Sequence, residues 1–241
     1  MPRQPGKGDV TMTIDTVVNT HLAVWESWNA LGYEARCAVL RRWAESLPVA
    51  WRAMVEYQCQ QTAHQVAAVH VMPGPTGETN ELYCAGRGLF VVTAAAETPA
   101  EAILGQLTAA LVTGNTVVLC LPEESEVQAQ TVESALTHSG CNAISAVPES
   151  MIDTLLAHPA IAGVAYAGNM AALQRLARQV AAREGALAAV IGETDVHALP
   201  VVGSPTYLLR FVTERTRTIN ITAVGGNATL LELGSGEPIE N

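Results

Sequence analysis

The groups in this chain able to do covalent or metal chemistry are five cysteines, Cys37, Cys59, Cys84, Cys120 and Cys141, and six histidines. A thiolate beside a base and an oxyanion donor could attack a carbonyl, and closely spaced His and Cys could hold zinc. The cysteines are odd in number, widely separated and free of any C-x-x-C pair, which indicates neither a disulfide framework nor a zinc knuckle. His138, Cys141 and His158 fall around a helix end and a loop with no carboxylate at ligand spacing, so they read as structural. Ser139-Gly140 and Gly203-Ser204-Pro205 are turns outside any G-x-S-x-G frame. Gly86-Arg87-Gly88 precedes a strand where a phosphate-binding turn would follow one. Gly168 does follow a strand, and the helix N-terminus behind it offers free N–H groups to an anion. The stretch Leu107–Pro122 is the most informative: helical apolar spacing to Val112, a stop at Gly114-Asn115, then a β-branched run ending beside Cys120.

The elements that must position these groups follow from periodicity. Residues 1–18 read as a flexible lead-in. Leu22, Trp25, Trp28, Val39, Leu40, Trp43 and Leu47 then recur at helical spacing with a break at Gly32, and a third helix runs from Val49 to about Val69, giving a helical preface over 19–71. Met72 to Asn80 is a turn-rich boundary. From Gly88 strands and helices alternate: strands at 89–94, 116–121, 143–147, 163–167 and 187–191, helices at 99–112, 123–137, 149–156 and 170–182. Thr98-Pro99-Ala100-Glu101 has the form of a capping box. Parallel strands need such crossover helices, so 72–200 is expected to be an α/β domain with an open, doubly wound, Rossmann-like sheet, its strand order left open. Glu193-Thr194-Asp195 reads as loop. Beyond 200 the grammar changes to alternation, and 201–234 is expected to form a β-flap before a tail at 235–241.

Bulk properties bound the function. With 49% hydrophobic and 15% charged residues the composition is that of a folded chain. A net charge of −10 argues against binding nucleic acid or anionic lipid, and Arg175, Arg178 and Arg183 read as one solvated helix face. No apolar run is long enough for a membrane span, and the cysteine usage fits a reducing cytoplasm.

The segment Leu107–Pro122 resembles the aldehyde dehydrogenase superfamily, whose version of it reads close to A-L-A-A-G-N-T-V-V-L-K-P and ends in a lysine that binds the NAD ribose. Cys120 stands at that lysine's position. A thiol cannot replace an ammonium as a multiple donor. The superfamily's V-A-F-T-G-S-T-x-x-G is matched by Val164–Leu173, with Gly168 retained, Asn169 and Met170 at the Ser and Thr positions, and Leu173 at the last glycine, where a branched side chain is expected to obstruct the ligand. Its E-L-G-G base is matched by Leu187–Gly192 without the glutamate. Its nucleophile has no counterpart, because no cysteine follows Cys141. The resemblance therefore implies no catalytic, cofactor-binding or metal residue in this chain.

Two further stretches, Pro73–Asn80 and Glu214–Gly234, are similar to P-G-P-T-G-E-x-N and E-R-x-x-x-x-N-x-x-A-x-G-G-N-A-x-L of the C-terminal region of the proline utilization A family. The likeness spans about residues 73 to 234. That family oxidises proline to pyrroline-5-carboxylate and then, as glutamate semialdehyde, to glutamate, with FAD and NAD as the parent enzyme's cofactors. Its long members end in a noncatalytic aldehyde-dehydrogenase-like domain that covers the tunnel between active sites and packs on the catalytic dehydrogenase domain. The resemblance implies that role here, for an excised piece, a split subunit or a truncated reading frame. Its partner would be that catalytic domain, in the same or a separate chain, or a second copy of this one. The alternative is an independent NAD or small-molecule binder, or a residual aldehyde dehydrogenase. The interaction surface is expected on the flap: Arg217, Thr218, Ile219, Asn220, Ile221, Thr222, Gly225, Gly226, Asn227 and Leu230. A two-stranded ribbon there is too small to stand uncovered.

Overall fold

The computed structural model describes residues 13–220. Helix α1 (Ile14–Ala30) starts where Thr13 accepts the Thr16 N–H at 3.2 Å, earlier than the lead-in read from the sequence. Gly32, in the left-handed region at φ 78°, separates it from α2 (Gly32–Ala44), and Pro48 opens α3 (Val49–Gln65). A short strand β1 (His70–Met72) and a nine-residue strand β2 (Glu78–Gly86) follow. The boundary expected at 72–80 is thus a hairpin turn running into a long strand. Its alternation was masked by Pro73, Gly74, Pro75 and Gly77 just before it.

The alternating region follows as β3 (Leu89–Ala94), α4 (Ala100–Val112), β4 (Thr116–Cys120), α5 (Ala129–His138), β5 (Ile144–Ala146), α6 (Ile152–Ala157), β6 (Ile161–Ala167), α7 (Met170–Ala181) and β7 (Ala189–Glu193). Helix α5 begins six residues later than its apolar pattern suggests. Ser125 organises a turn first, its hydroxyl accepting from Val127 N at 3.3 Å and its carbonyl from Gln128 Nε2 at 2.7 Å. The expected capping box at Thr98 is not made: Thr98 Oγ1 donates to the Ala167 carbonyl at 3.1 Å, and the Ala100 N–H donates to Glu126 instead. A 3-10 turn at Tyr207–Phe211 leads into β8 (Val212–Asn220).

The five strands β5-β4-β3-β6-β7 form one parallel sheet in that order. Side chains alternate between its faces. Phe90, Val92, Val117, Leu119 and Ala165 face α2, α3, α4 and α5 in one core. Leu89, Val91, Val118, Cys120 and Val164 face α1, α6 and α7 in the other. This is the doubly wound α/β arrangement, and the continuous apolar strands are what burial on both faces demands. Helix α4 is buried along its whole length, consistent with a sequence apolar all round.

A polar junction ties the layers together at the C-terminal end of α4. Asn115, fully buried, accepts from the N–H groups of Arg87 (2.7 Å) and Gly88 (3.1 Å) and donates to Ala110 O, Thr113 Oγ1 and Phe211 O at 2.9 to 3.1 Å. Arg36 donates to the Val112 carbonyl at 2.8 Å and to the carbonyls of Trp28 and Asn29. A methyl at Gly86 would lie 2.5 Å from the Gly114 carbonyl, so only glycine lets β2 pass this close.

Outside the parallel sheet, β1-β2-β8 form a separate antiparallel sheet. The ribbon expected within 214–233 is described only in its first part. Its first strand pairs with β2, and its proposed turn and second strand, with Ile221, Thr222, Gly225, Gly226, Asn227 and Leu230, lie outside the described residues.

Two predictions follow from packing. Asn115→Ala leaves several buried backbone groups unsatisfied and should cost about 3 kcal/mol or more in urea unfolding; a loss under ~0.5 kcal/mol would remove the junction from any structural role. His21 is buried on α1, and neither ring nitrogen has a hydrogen-bond partner among the described residues. Desolvation holds its pKa near 4, below the ordinary 6.5. The unfolded chain therefore takes up a proton that the folded chain refuses. Stability from this residue is complete above pH 6.5 and falls between 6.5 and about 4, by up to about 1.4 kcal/mol per pH unit. His21→Leu should flatten that part of the unfolding curve, and identical slopes in the two proteins would contradict a buried neutral imidazole.

Candidate ligand crevice and association sheet

The strand order reverses between β3 and β6, the place where open α/β sheets bind ligands beyond the strand carboxyl ends. A crevice of about 440 Å³ lies there, formed by Thr93 to Ala96 at the end of β3 and just beyond, Tyr166 and Asn169 around the end of β6, and α7. Its fit to a dinucleotide is poor. Glu124, Glu149 and Asp153 face Arg175 across it, an acidic balance that repels phosphate. Asn169 caps α7 by accepting the Ala172 N–H at 2.9 Å, which occupies a donor that an anion would need. Gly168, at φ 149°, is required by the chain itself: a methyl there would meet the Tyr166 hydroxyl at 2.3 Å and Ala95 Cβ at 2.8 Å.

Cys120 ends β4 with its side chain buried on the α7 side of the sheet, its thiol donating to the Pro148 carbonyl at 3.5 Å. Burial, with Glu149 adding, pushes the thiol up to about 12, so it is neutral at physiological pH. Leu173 packs over β7, where a methyl on Gly192 would lie 2.3 Å from its Cδ2.

Glu193 is the residue that sequence reasoning placed wrongly. It is the last residue of β7, fully buried, and shares the Ile191 face, away from α7. Its carboxylate accepts from Asp195 N at 3.1 Å, Val201 N at 2.8 Å and Val202 N at 3.0 Å. With three backbone donors on it, the Glu193 side chain organises the following loop. The mixed polarity of Ala189–Glu193 hid it, since the apolar run stops at Ile191.

The remaining candidates are dispersed. His158 Nδ1 accepts the Ala160 N–H at 3.1 Å, Cys141 is buried with its thiol pushed up to about 12, and no three His, Cys, Asp or Glu residues among those described could share a metal ion. Arg183 does more than face solvent: it donates to the carbonyls of His158, Ile161 and Ala186 at 2.7 to 3.2 Å.

The second surface is the antiparallel sheet. Arg217 lies opposite Glu81, forms a two-nitrogen ion pair with it and sits 5.7 Å over the Tyr83 ring. Thr218 donates to Asn80 at 2.6 Å, Ile219 lies opposite Thr79 and Asn220 opposite Glu78. Arg215 reaches the Trp25 ring of α1, fixing the sheet to the helical layer. From Glu214 onward β8 is exposed on both faces, with Ile219 at 41%. No further strand lies beside it among the described residues. Glu193→Gln, which keeps shape but weakens charge-assisted acceptance, should lower unfolding stability by about 1.5 to 3 kcal/mol. Unchanged stability would mean that the three amides do not need the charge.

No family model matches the chain. In sequence it is 30% identical over 203 residues to the bifunctional protein PutA of Salmonella typhimurium, covering 83% of this chain, and 29% identical over 197 residues to the Escherichia coli bifunctional protein PutA, covering 81%. The chain spans only 14% and 13% of those relatives' lengths. Among solved structures, a proline utilization A with proline bound in remote sites matches at a TM-score of 0.67 and 28% identity over 76% of this chain and 22% of its own. A Bradyrhizobium japonicum proline utilization A mutant matches at 0.67 and 27% over the same shares. An NAD-dependent benzaldehyde dehydrogenase from Corynebacterium glutamicum, 17% identical with a TM-score of 0.58 over 75% of this chain and 46% of its own, shares the fold. The chain is thus homologous to proline utilization A over about four-fifths of its length and is a PutA-related domain of the aldehyde dehydrogenase superfamily.

Proposed function

We propose that this chain is a noncatalytic aldehyde-dehydrogenase-like domain of a proline utilization A type enzyme, which associates with the catalytic dehydrogenase domain and covers the path of its intermediate. The observation that carries the reading is Glu193. The one carboxylate near the position of the superfamily's base faces away from the crevice and is held by three loop amides. The buried, neutral Cys120 and the acidic crevice support it, since the thiol offers no charge to NAD phosphates and ribose and three carboxylates outnumber Arg175. FAD and NAD belong to the parent reactions, and this chain's role needs neither. Association is assigned to the β1-β2-β8 sheet, whose outer strand carries Arg217, Thr218, Ile219 and Asn220 and can add a strand from the catalytic domain or from a second copy. The acidic charge fits no nucleic-acid role. No helix among the described residues is long and apolar enough to cross a membrane, and the five free cysteines support a reducing cytoplasm as the place of work. The crevice favours a second reading, a small-molecule binder using the switch point.

Purified chain given NAD and glutamate semialdehyde should form no NADH, and calorimetry with NAD should show no heat of binding in the micromolar range. Turnover near the ~1 to 1,000 s⁻¹ of ordinary enzymes would overturn the noncatalytic reading. Tight NAD binding without turnover would favour the second. Ile219→Asp should leave unfolding within about 0.5 kcal/mol of the parent and lower the mass of the complex with the catalytic domain, or of the self-associated chain, in light scattering. Unchanged mass in both cases would remove the sheet from the interface.

A further inference from the structure

We propose that Cys37 and Cys59 form an oxidisable dithiol that closes to a disulfide between α2 and α3 when the chain meets a hydroperoxide. The two residues come from facing helices joined by a short turn. The Cys37 thiol points at the Cys59 carbonyl oxygen, with Sγ 3.8 Å from it, and both residues line the same cleft. Both are buried side chains at the floor of an open cleft of about 480 Å³, walled by Tyr33, Arg41, Gln60 and His64, so a small neutral oxidant has a path to them.

The two sulfurs are unequal, as an attacking and a resolving thiol must be. The Cys59 thiol, as hydrogen-bond donor, holds Cys37 below the ordinary thiol range, and the guanidinium groups of Arg41 and Arg36 add to this against burial and Glu56. Arg41 is itself fixed by Glu56 at 2.8 Å, so its charge stays beside the pair. Cys59 is raised, first by the same hydrogen bond and then by burial, and keeps its proton until Cys37 has reacted. Cys120 and Cys141, both pushed up to about 12 by burial, lack such a neighbour.

The chemistry balances with the hydroperoxide as oxidant. The Cys37 thiolate attacks the terminal peroxide oxygen, the O–O bond breaks, and the alcohol leaves with a proton, giving a sulfenic acid on Cys37. The Cys59 sulfur then attacks the Cys37 sulfur. The S–O bond breaks, and the departing hydroxide takes the Cys59 proton as water. Two thiols lose two electrons and two protons, and the hydroperoxide becomes alcohol and water. The bond would staple α2 to α3 beneath the helical layer that carries Arg36.

The full chain treated with hydrogen peroxide, alkylated and examined by mass spectrometry tests this. Two hydrogens should be lost from the intact mass, three of the five thiols should remain alkylatable, and dithiothreitol should reverse the change. Chymotryptic mapping, which separates Cys59 from Cys84, should find a Cys37–Cys59 link that survives Cys84→Ser and disappears in Cys59→Ser, where dimedone should trap Cys37 instead. Loss of no thiol, a link to Cys84, or sulfinic acid on Cys37 without a link while the circular dichroism stays native would each overturn the proposal. Because the link is read in the unsubstituted chain, a poorly folding serine variant leaves the test intact.

Discussion

Everything in this fold passes through the C-terminal end of α4, where one asparagine and one arginine satisfy the backbone of four separate segments. Asn115 supplies acceptors to the β2–β3 turn and donors to α4 and to the 3-10 turn before β8. Arg36 is buried with no carboxylate partner among the described residues, yet burial lowers its pKa only to about 10, so it stays charged at neutral pH. What compensates is the alignment of carbonyls at the ends of α1 and α4, the negative poles of two helices, onto which the guanidinium donates. The close passage of Gly86 over Gly114 depends on the same point. The helical layer, the parallel sheet and the antiparallel sheet are therefore registered on each other by polar geometry, while apolar packing supplies the bulk of the cohesion.

The crevice lies where open α/β sheets bind nucleotides, and its charged lining is three carboxylates and one arginine. Each position where a ligand atom would approach backbone is filled from within the protein: Tyr166 against Gly168, Leu173 against Gly192, Asn169 on the α7 amides and loop amides on Glu193. A binding site must hold polar groups ready for something absent, which is costly without the ligand. Here Asn169 and Glu193 have internal partners, while the Tyr166 hydroxyl has none among the described residues.

Much of the architecture could be read from the chain because parallel strands buried on both faces announce themselves as continuous apolar runs. Leu89–Ala94 and Thr116–Cys120 are both buried end to end. The helices packed on them carry apolar positions at helical spacing. Glu193 and β2 escaped that reading for one reason: their pattern is set by distant partners. A glutamate ending a strand looks like loop until the amides of Val201 and Val202 are brought to it, and Glu78–Gly86 looks like a boundary until residues 212–220 pair with it. The absence of a downstream thiol could be read directly, since composition needs no geometry. The Cys37–Cys59 approach could not, because only the packing of α2 on α3 closes that distance.

The pairing of β2 with β8 has a consequence for how the chain is made. Glu78 meets Asn220, so the antiparallel sheet cannot close until the whole α/β unit between them has been synthesised. During translation β2 emerges early with β1 on one edge and its other edge bare, a template for any extended segment nearby. When β8 arrives, Arg217 pairs with Glu81, an ion pair that joins segments 136 residues apart in sequence.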